Sequence, residues 1–183
     1  MMNAGKKAST AIKNIALGGI GTALFVVLSL CLQVPVFENY YLCLGYIVMA
    51  VYCYSIGTMS GTIVSTLGIL LYCFLINGLR GMPGWAIGNT AIGLIAGSAF
   101  RFAHKIRNKW IQRLICLVTI IAGTAVGILG IKSLVESVLY AQPFIVRVAK
   151  NIYAFVADIV VLMASLPLCE VLDPHLRRIV RGK

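Results

Sequence analysis

Three polar residues in the last apolar stretch of the chain, Arg147, Asn151 and Asp158, have the clearest potential for chemistry. Their spacing places them on one face of a helix. A carboxylate inside a membrane helix is costly, so it is a hypothesis of function by default. We expect Asp158 to face the interior of a helical bundle, where it binds a ligand group or an ion. A purely structural Asp, satisfied by hydroxyls such as those of Thr119 or Thr124, is the alternative.

Other polar residues beside the apolar stretches add ligand-binding chemistry. Trp85 and Asn89 lie one helical turn apart, so an indole ring and an amide share a face. Basic side chains can anchor carboxylates or phosphates. Two alternatives stay open: the basic residues snorkel to the membrane interface, and the aromatic residues form an interfacial belt. The candidate ligand-binding residues are Glu38, Asn39, Tyr41, Arg80, Trp85, Asn89, Tyr140, Arg147, Lys150, Asn151 and Asp158.

Motifs of catalysis and nucleotide binding are missing from the sequence. It contains no Walker A and no HExxH pattern, so the chain cannot use ATP by itself. Its histidines, His104 and His175, lie in basic segments away from the polar residues, so no Ser-His-Asp set assembles. The six cysteines lie in or beside apolar stretches without CxxC spacing, which favours packing. We predict a protein that is not an enzyme and holds no metal or cofactor.

The elements that must position these residues are predicted by a long gap in the charges. Between Glu38 and Arg80 there are 41 residues without Asp, Glu, Lys or Arg. As one helix this run would reach about 60 Å, twice the roughly 30 Å of a bilayer core. Two crossings fit it, with a tight turn near Gly57. Charged residues make up 11% of the 183-residue chain, against about 25% in soluble domains, which also indicates a membrane protein.

We predict an all-α membrane protein, a compact bundle of six transmembrane helices that forms one domain over residues 1–183. The basic N-terminus precedes an apolar stretch too long for a typical signal peptide, so we expect a permanent first span. The predicted spans are Ile15–Val34, Tyr41–Ile56, Met59–Ile76, Trp85–Phe100, Leu114–Ile131 and Pro143–Cys169.

The charge distribution predicts the orientation. An even number of spans places both termini on one side, and cytoplasmic termini put 12 of the 16 basic residues inside. The four outside are Arg80, Lys132, Arg147 and Lys150. This bias follows the positive-inside rule, so the net charge of +11 needs no nucleic-acid partner.

Small residues at four-residue spacing mark faces where helices approach closely. Gly19 and Ala23 form such a pair in the first span, and Gly57, Gly61 and Ser65 form a run leading into the third. Further pairs are Gly93 with Gly97 and Gly123 with Gly127. Each pair is expected to pack inside the bundle or to form a face for a partner protein.

Two segments resemble a known family. Ile20–Ser29 is similar to the first helix of the substrate-binding S components of energy-coupling factor (ECF) vitamin transporters, and Gly84–Gly97 to the fourth helix of their riboflavin-type branch. The resemblance implies capture of a small water-soluble vitamin, riboflavin first among the candidates, near the outer face with the first loop as a lid.

The same resemblance implies partners and a location. Gly19 and Ala23 would dock on the ECF transmembrane coupling protein, which is tied to two cytoplasmic ATPases, in a bacterial plasma membrane. Many members carry Ala at both positions, so Gly19 is a mild departure from the family pattern.

Two other functions stay open from the sequence. The first is a stand-alone small secondary transporter or channel that uses Asp158 as an ion or proton site and dimerises to build a pathway. The second is a membrane enzyme or assembly factor whose chemistry lies in the basic loop Arg101–Arg113, with His104 essential.

Overall fold

Helices make up most of the part of the chain that the computed structural model describes, which is residues 2–31, 34–37, 40–76 and 82–181. Two short strands, β1 (Val34–Phe37) and β2 (Tyr40–Leu42), form an antiparallel hairpin. A π-helical segment, Ala125–Lys132, joins the fifth and sixth helices without a break. The helices are α1 (Met2–Cys31), α2 (Gly45–Ser55), α3 (Thr58–Ile76), α4 (Met82–Ala103), α5 (Lys109–Thr124), α6 (Ser133–Tyr140) and α7 (Phe144–Arg181).

The outward surface of these helices is apolar. Large apolar side chains such as Phe74, Val138 and Ile145 are mostly exposed, whereas soluble monomers rarely expose apolar patches beyond roughly a few hundred Å². Within the described residues, four helices are long and apolar enough to cross a membrane. They are Ile12–Cys31, Thr58–Ile76, Lys109–Tyr140 and Phe144–Val180. The predicted membrane class is therefore confirmed.

The predicted helix ends are wrong at the first loop. Val34 and Tyr41 were predicted to lie in helical spans, but they belong to β1 and β2, and α2 begins only at Gly45. Val34 directly precedes Pro35, and the proline ring disfavours the helical conformation for the residue before it. The β-branched and aromatic residues around it favour paired strands.

The predicted ends of the fifth and sixth spans are also wrong. The sequence predicts that the fifth helix ends at Ile131, but helical structure continues from Lys109 to Tyr140. The prediction took Lys132 as a membrane boundary. In the structure Lys132 is buried, with Glu136 one turn away to offset its charge. α7 likewise continues to Arg181, beyond the predicted Cys169.

Glycines allow the inner helices to approach backbone to backbone. A Cβ added at Gly97 would lie 2.8 Å from the Thr58 Cα, and one at Gly93 would lie 3.0 Å from the Thr62 Cα. Gly93 and Gly97 of α4 therefore pack against α3 inside the bundle. Packing inside the bundle was one of the two alternatives predicted for such pairs. On α1, by contrast, no atom lies within 4 Å of a Cβ added at Gly19, and Ala23 is exposed.

The bundle has two chemically different ends. The hairpin end comprises β1, β2, α6 and the first turns of α7, and the hairpin contacts α7. The basic end comprises the α2–α3 turn, the α4–α5 connection at 104–108 and the last turns of α7. At the basic end Lys13 Nζ donates to the Val180 carbonyl at 3.1 Å, which joins α1 to α7.

Candidate functional site

The buried hydroxyl of Tyr46, on α2, connects two of the sequence-predicted residues of α4. It donates to Asn89 Oδ1 at 2.6 Å and accepts from Trp85 Nε1 at 3.0 Å. The Tyr46 and Asn89 side chains are fully buried. Because Trp85 and Asn89 are one turn apart, a single hydroxyl can reach both, and their orientation is fixed before any ligand binds.

The Asp158 carboxyl group meets the same hydroxyl from α7. Asp158 is 3% exposed, and its carboxyl group lies beside the Tyr46 hydroxyl, so the predicted orientation toward the bundle interior is confirmed. A phenol has one proton, and Tyr46 directs it to Asn89 Oδ1. The neighbour of Asp158 is thus Tyr46, whereas the Thr119 hydroxyl donates to its own helix at Ile115.

A second set of polar contacts lies one to two turns closer to the hairpin end. Asn151 Nδ2, on α7, lies 3.0 Å from both Ser133 Oγ and Glu136 Oε2. Glu136 also lies 3.9 Å from Lys132 Nζ and 3.9 Å from an Arg147 guanidinium nitrogen. The buried Glu136 carboxylate is thus shared by two cations and an amide, which offsets much of its desolvation cost.

The π-helical segment explains why Lys132, Ser133 and Glu136 point inward. Buried positions on α5 and the segment follow a helical stripe through Ile120, Gly123, Thr124, Gly127 and Ile128. An unbroken α-helix would continue the stripe at 131 and 135. The π-helical segment has more residues per turn than an α-helix, so the buried stripe continues one residue later, at 132, 133 and 136. π-turns are rare and concentrate at functional sites, which agrees with the charges this one brings into the core.

Glycines lie on both sides of the contact between the π-helical segment and α4. A Cβ added at Gly127 would lie 2.7 Å from the Gly88 carbonyl oxygen, and one at Gly88 would lie 2.6 Å from the Gly127 carbonyl oxygen. Neither position therefore accepts a side chain without a backbone shift. The two backbones touch directly, next to Trp85 and Asn89 on one helix and Lys132 on the other.

Two cation–π contacts complete the arrangement. Lys132 Nζ lies 5.7 Å from the Trp85 ring centroid, which joins the two sets of contacts. The Arg147 guanidinium stacks 4.3 Å from the Tyr140 ring at the outer edge. We call the whole set the polar cluster, and its members are Tyr46, Trp85, Asn89, Lys132, Ser133, Glu136, Tyr140, Arg147, Asn151 and Asp158.

The polar cluster is equipped for binding rather than for bond cleavage. Among the described residues, Asn89 Nδ2, Asp158 Oδ2 and Arg147 Nε are buried and have no hydrogen-bond partner. A buried unpaired donor or acceptor costs about 1–3 kcal/mol, and a ligand with complementary groups would remove that cost. The cluster contains no histidine and no cysteine, and the Ser133 hydroxyl donates to the Ile128 carbonyl and accepts from Asn151 Nδ2, so none of these groups forms an activated nucleophile.

The structure brings together six of the predicted site residues, which are Trp85, Asn89, Tyr140, Arg147, Asn151 and Asp158. Lys150 is on the same helix but exposed. Tyr41 is in β2, opposite Pro35. The predicted residues Glu38, Asn39 and Arg80 lie outside the described part of the chain.

Sequence reasoning missed Tyr46, Lys132, Ser133 and Glu136 as members of the site. Tyr46 stands in an apolar run where a tyrosine is ordinary, so no signal marked it. Lys132 and Glu136 did carry a signal, because opposite charges four residues apart pair on a helix. That spacing favours a helix that continues through the two charges instead of a loop that begins at them.

The comparison with protein families gives a match. The family described as ECF-type riboflavin transporter, S component, matches residues 9–173, which is most of the chain and includes the whole polar cluster. No curated protein and no solved structure matches the chain.

Proposed function

The chain belongs to the family of ECF-type riboflavin transporter S components, and we propose that its polar cluster is the riboflavin-binding site. An S component is the substrate-capture subunit of an ECF transporter, so the protein functions in vitamin import and is a transport subunit. The observation that supports the site assignment most is the pair of buried, unpaired groups Asn89 Nδ2 and Asp158 Oδ2.

The chemistry of riboflavin matches these groups. One edge of the isoalloxazine ring carries two carbonyl acceptors and a ring N–H donor. The Asn89 amide would donate to a carbonyl, and the Asp158 carboxylate would accept from the N–H. The half-buried Trp85 ring supplies a flat apolar surface beside them. A mostly apolar pocket with a few fixed polar groups is the usual form of a small-molecule site.

The ribityl chain of the vitamin would reach toward the hairpin end. It carries hydroxyl groups, and Glu136, Asn151 and Arg147 offer acceptors and donors one to two turns above Asp158. Arg147 and Lys150 would attract polar ligand groups to the entrance. We further propose that the first loop acts as the lid, that Glu38, Asn39 and Tyr41 take part in ligand binding, and that Arg80 attracts polar ligand groups.

The proposed topology is a six-span bundle with both termini in the cytoplasm of a bacterial cell. The basic end then faces inward and the hairpin end outward, in line with the 12 to 4 division of the basic residues. Four of the six spans are the helices that are long and apolar enough to cross a membrane, and α2 and α4 are the other two. The binding site then opens to the exterior.

Gly19 and Ala23 are proposed to dock on the ECF transmembrane coupling protein, through which two cytoplasmic ATPases drive import. The open space around Gly19 and the exposure of Ala23 support this role, because neither is used for packing within the chain. Small residues let a partner helix approach closely where lipid gives no hydrophobic drive.

Uptake into proteoliposomes tests the function. We expect labelled riboflavin to enter vesicles that hold this chain with the coupling protein and ATPases, and only with ATP on the ATPase side. The matched vesicles contain the chain alone. A stand-alone transporter would instead give uptake in those vesicles, driven by an ion gradient and abolished by Asp158→Asn. Loss of uptake in His104→Ala with intact binding and assembly would favour chemistry in the basic loop.

A further inference from the structure

A cavity of about 260 Å³ lies at the basic end, on the far side of the bundle from the polar cluster. It opens between the α2–α3 turn, the end of α4 and the last turns of α7. The residues that matter for its chemistry are Ser55, Gly57, Arg101, His104 and Arg177. The riboflavin site uses none of them.

The charge of the cavity is positive. Arg101 is exposed at the end of α4. Arg177 directs Nε to Asp173 Oδ1 at 2.7 Å, which leaves its two terminal nitrogens available for another acceptor. The wall of the cavity thus carries the positive charges of Arg101 and Arg177, and Asp173, which lies outside the wall, offsets one of them. Lys13 adds a further cation nearby, because its Nζ bonds the carbonyl of Val180, a residue of the cavity wall.

Unpaired polar atoms also line the cavity. Ser55 is 9% exposed, and its hydroxyl has no hydrogen-bond partner among the described residues. His104 Nδ1 lies 2.6 Å from the Phe100 carbonyl, and its buried Nε2 has no partner. The Tyr54 ring, 4.3 Å from the imidazole, holds it in place. The imidazolium form of His104 would donate to Phe100 and to an anion at the same time.

The start of α3 adds backbone donors. Gly57 takes φ of +144°, a conformation that favours glycine, and the helix begins at the next residue. The backbone amide of Gly61 donates to the Gly57 carbonyl, so the amides at 58–60 precede the first bond of the helix. Free amides and the helix dipole make such an end favourable for anions, and Gly57 lies in the cavity wall.

We propose that this cavity binds a phosphate group. Two guanidinium groups, a buried hydroxyl, an imidazole and a helix start surround one space, and a tetrahedral oxyanion accepts from several directions at once. Basic pockets between membrane helices on the cytoplasmic side bind phospholipid headgroups. The phosphate comes from an anionic lipid of that leaflet or from free phosphate. When bound, it links α7 to the α2–α3 turn and α4.

The test is lipid retention by the full chain in nanodiscs that contain phosphatidylglycerol and phosphatidylcholine, measured by native mass spectrometry. We expect the wild type to keep one phosphatidylglycerol. Arg101→Gln with Arg177→Gln removes both cavity arginines and should weaken retention about 30-fold, since each basic residue beside an anionic headgroup contributes about fivefold. Lys105→Gln with Arg178→Gln is the matched control, because both side chains are exposed outside the cavity wall.

A second arm separates the two sources of phosphate. In neutral detergent, millimolar inorganic phosphate should raise the melting temperature of the wild type, but not of Arg101→Gln, if the free ion is the ligand. If phosphatidylglycerol raises the melting temperature and inorganic phosphate does not, the ligand is the lipid headgroup. Equal losses in the two double variants, or no retained lipid and no effect of phosphate, would overturn the proposal. Arg101→Gln removes an exposed side chain, and unchanged riboflavin binding would show that each variant is folded.

Discussion

At the residue scale, the most informative group is the Tyr46 hydroxyl. It holds Trp85 and Asn89 of α4 in place and meets Asp158 of α7, so three helices depend on one phenol. Asn89, Asn151 and Asp158 could be predicted as inward-facing, because polar groups inside a membrane helix avoid lipid. Tyr46 could not be predicted, because tyrosine is tolerated at the surface and in the core alike.

Replacing Tyr46 with Phe should therefore destabilise the protein and weaken riboflavin binding. The change leaves Asn89 Oδ1 and Trp85 Nε1 without their partner, and we expect a loss of about 1–3 kcal/mol in the free energy of unfolding. Thermal unfolding in detergent and riboflavin fluorescence measure the two effects.

Tyr52→Phe is the matched control for this change. It removes a single hydrogen bond, from the Tyr52 hydroxyl to the Leu17 carbonyl at 2.9 Å, away from the polar cluster. It should cost about 1 kcal/mol and leave riboflavin affinity unchanged. If Tyr46→Phe behaved in the same way, the hydroxyl would have no part in the site.

At the element scale, the sequence predicts the helix that contains the π-helical segment but not the segment itself. The periodic apolar pattern of α5 predicts a helix, and Lys132 predicts where a membrane span ends. Neither pattern predicts the π-helical segment, which lies where Gly127 contacts Gly88 of a different helix. The hairpin was missed for a similar reason, because Val34 and Tyr41 continue the apolar composition of the neighbouring spans.

Glycine substitutions test the backbone contact between α3 and α4. Gly97→Ala places a Cβ 2.8 Å from the Thr58 Cα, so the helices must separate. We expect a loss of about 1–3 kcal/mol, as for other overpacked cores. Gly18→Ala meets no atom within 4 Å and should add up to about 1 kcal/mol through helix propensity.

Melting temperatures of the purified variants decide this comparison. Both changes add one methyl group to a helical glycine, so they differ only in the space around it. Equal effects on stability would mean that α3 and α4 are not in backbone contact.

At the scale of the whole molecule, the chain separates the polar cluster, which we propose as the capture site, from the positive charges at the basic end. Most of this plan could be predicted from the sequence: the membrane class, the helical bundle, the family and an inward-facing Asp158. The details of the polar cluster could not be predicted, because the inward positions of Lys132, Ser133 and Glu136 depend on the helix phase after the π-helical segment.

The proposed docking face gives a prediction at this scale. Gly19→Trp fills open space on α1, so it should leave folding and riboflavin affinity unchanged. It should abolish ATP-driven uptake, because the bulky ring blocks the approach of the coupling protein.

Val118→Trp, at an exposed position of α5, is the matched control and should transport normally. Co-purification of each variant with the coupling protein, together with vesicle uptake, measures the difference. Full transport by Gly19→Trp would show that α1 is not the coupling face.

The most direct test of the central claim is a fluorescence titration of riboflavin with the purified full chain, its Asn151→Ala variant and the control Asn14→Ala. Asn151 is buried between Ser133 and Glu136, whereas Asn14 is exposed on α1. The account predicts saturable quenching at one riboflavin per chain for the wild type and Asn14→Ala, and affinity about tenfold or more weaker for Asn151→Ala. Equal affinity in all three proteins, or no quenching by the wild type, would contradict it.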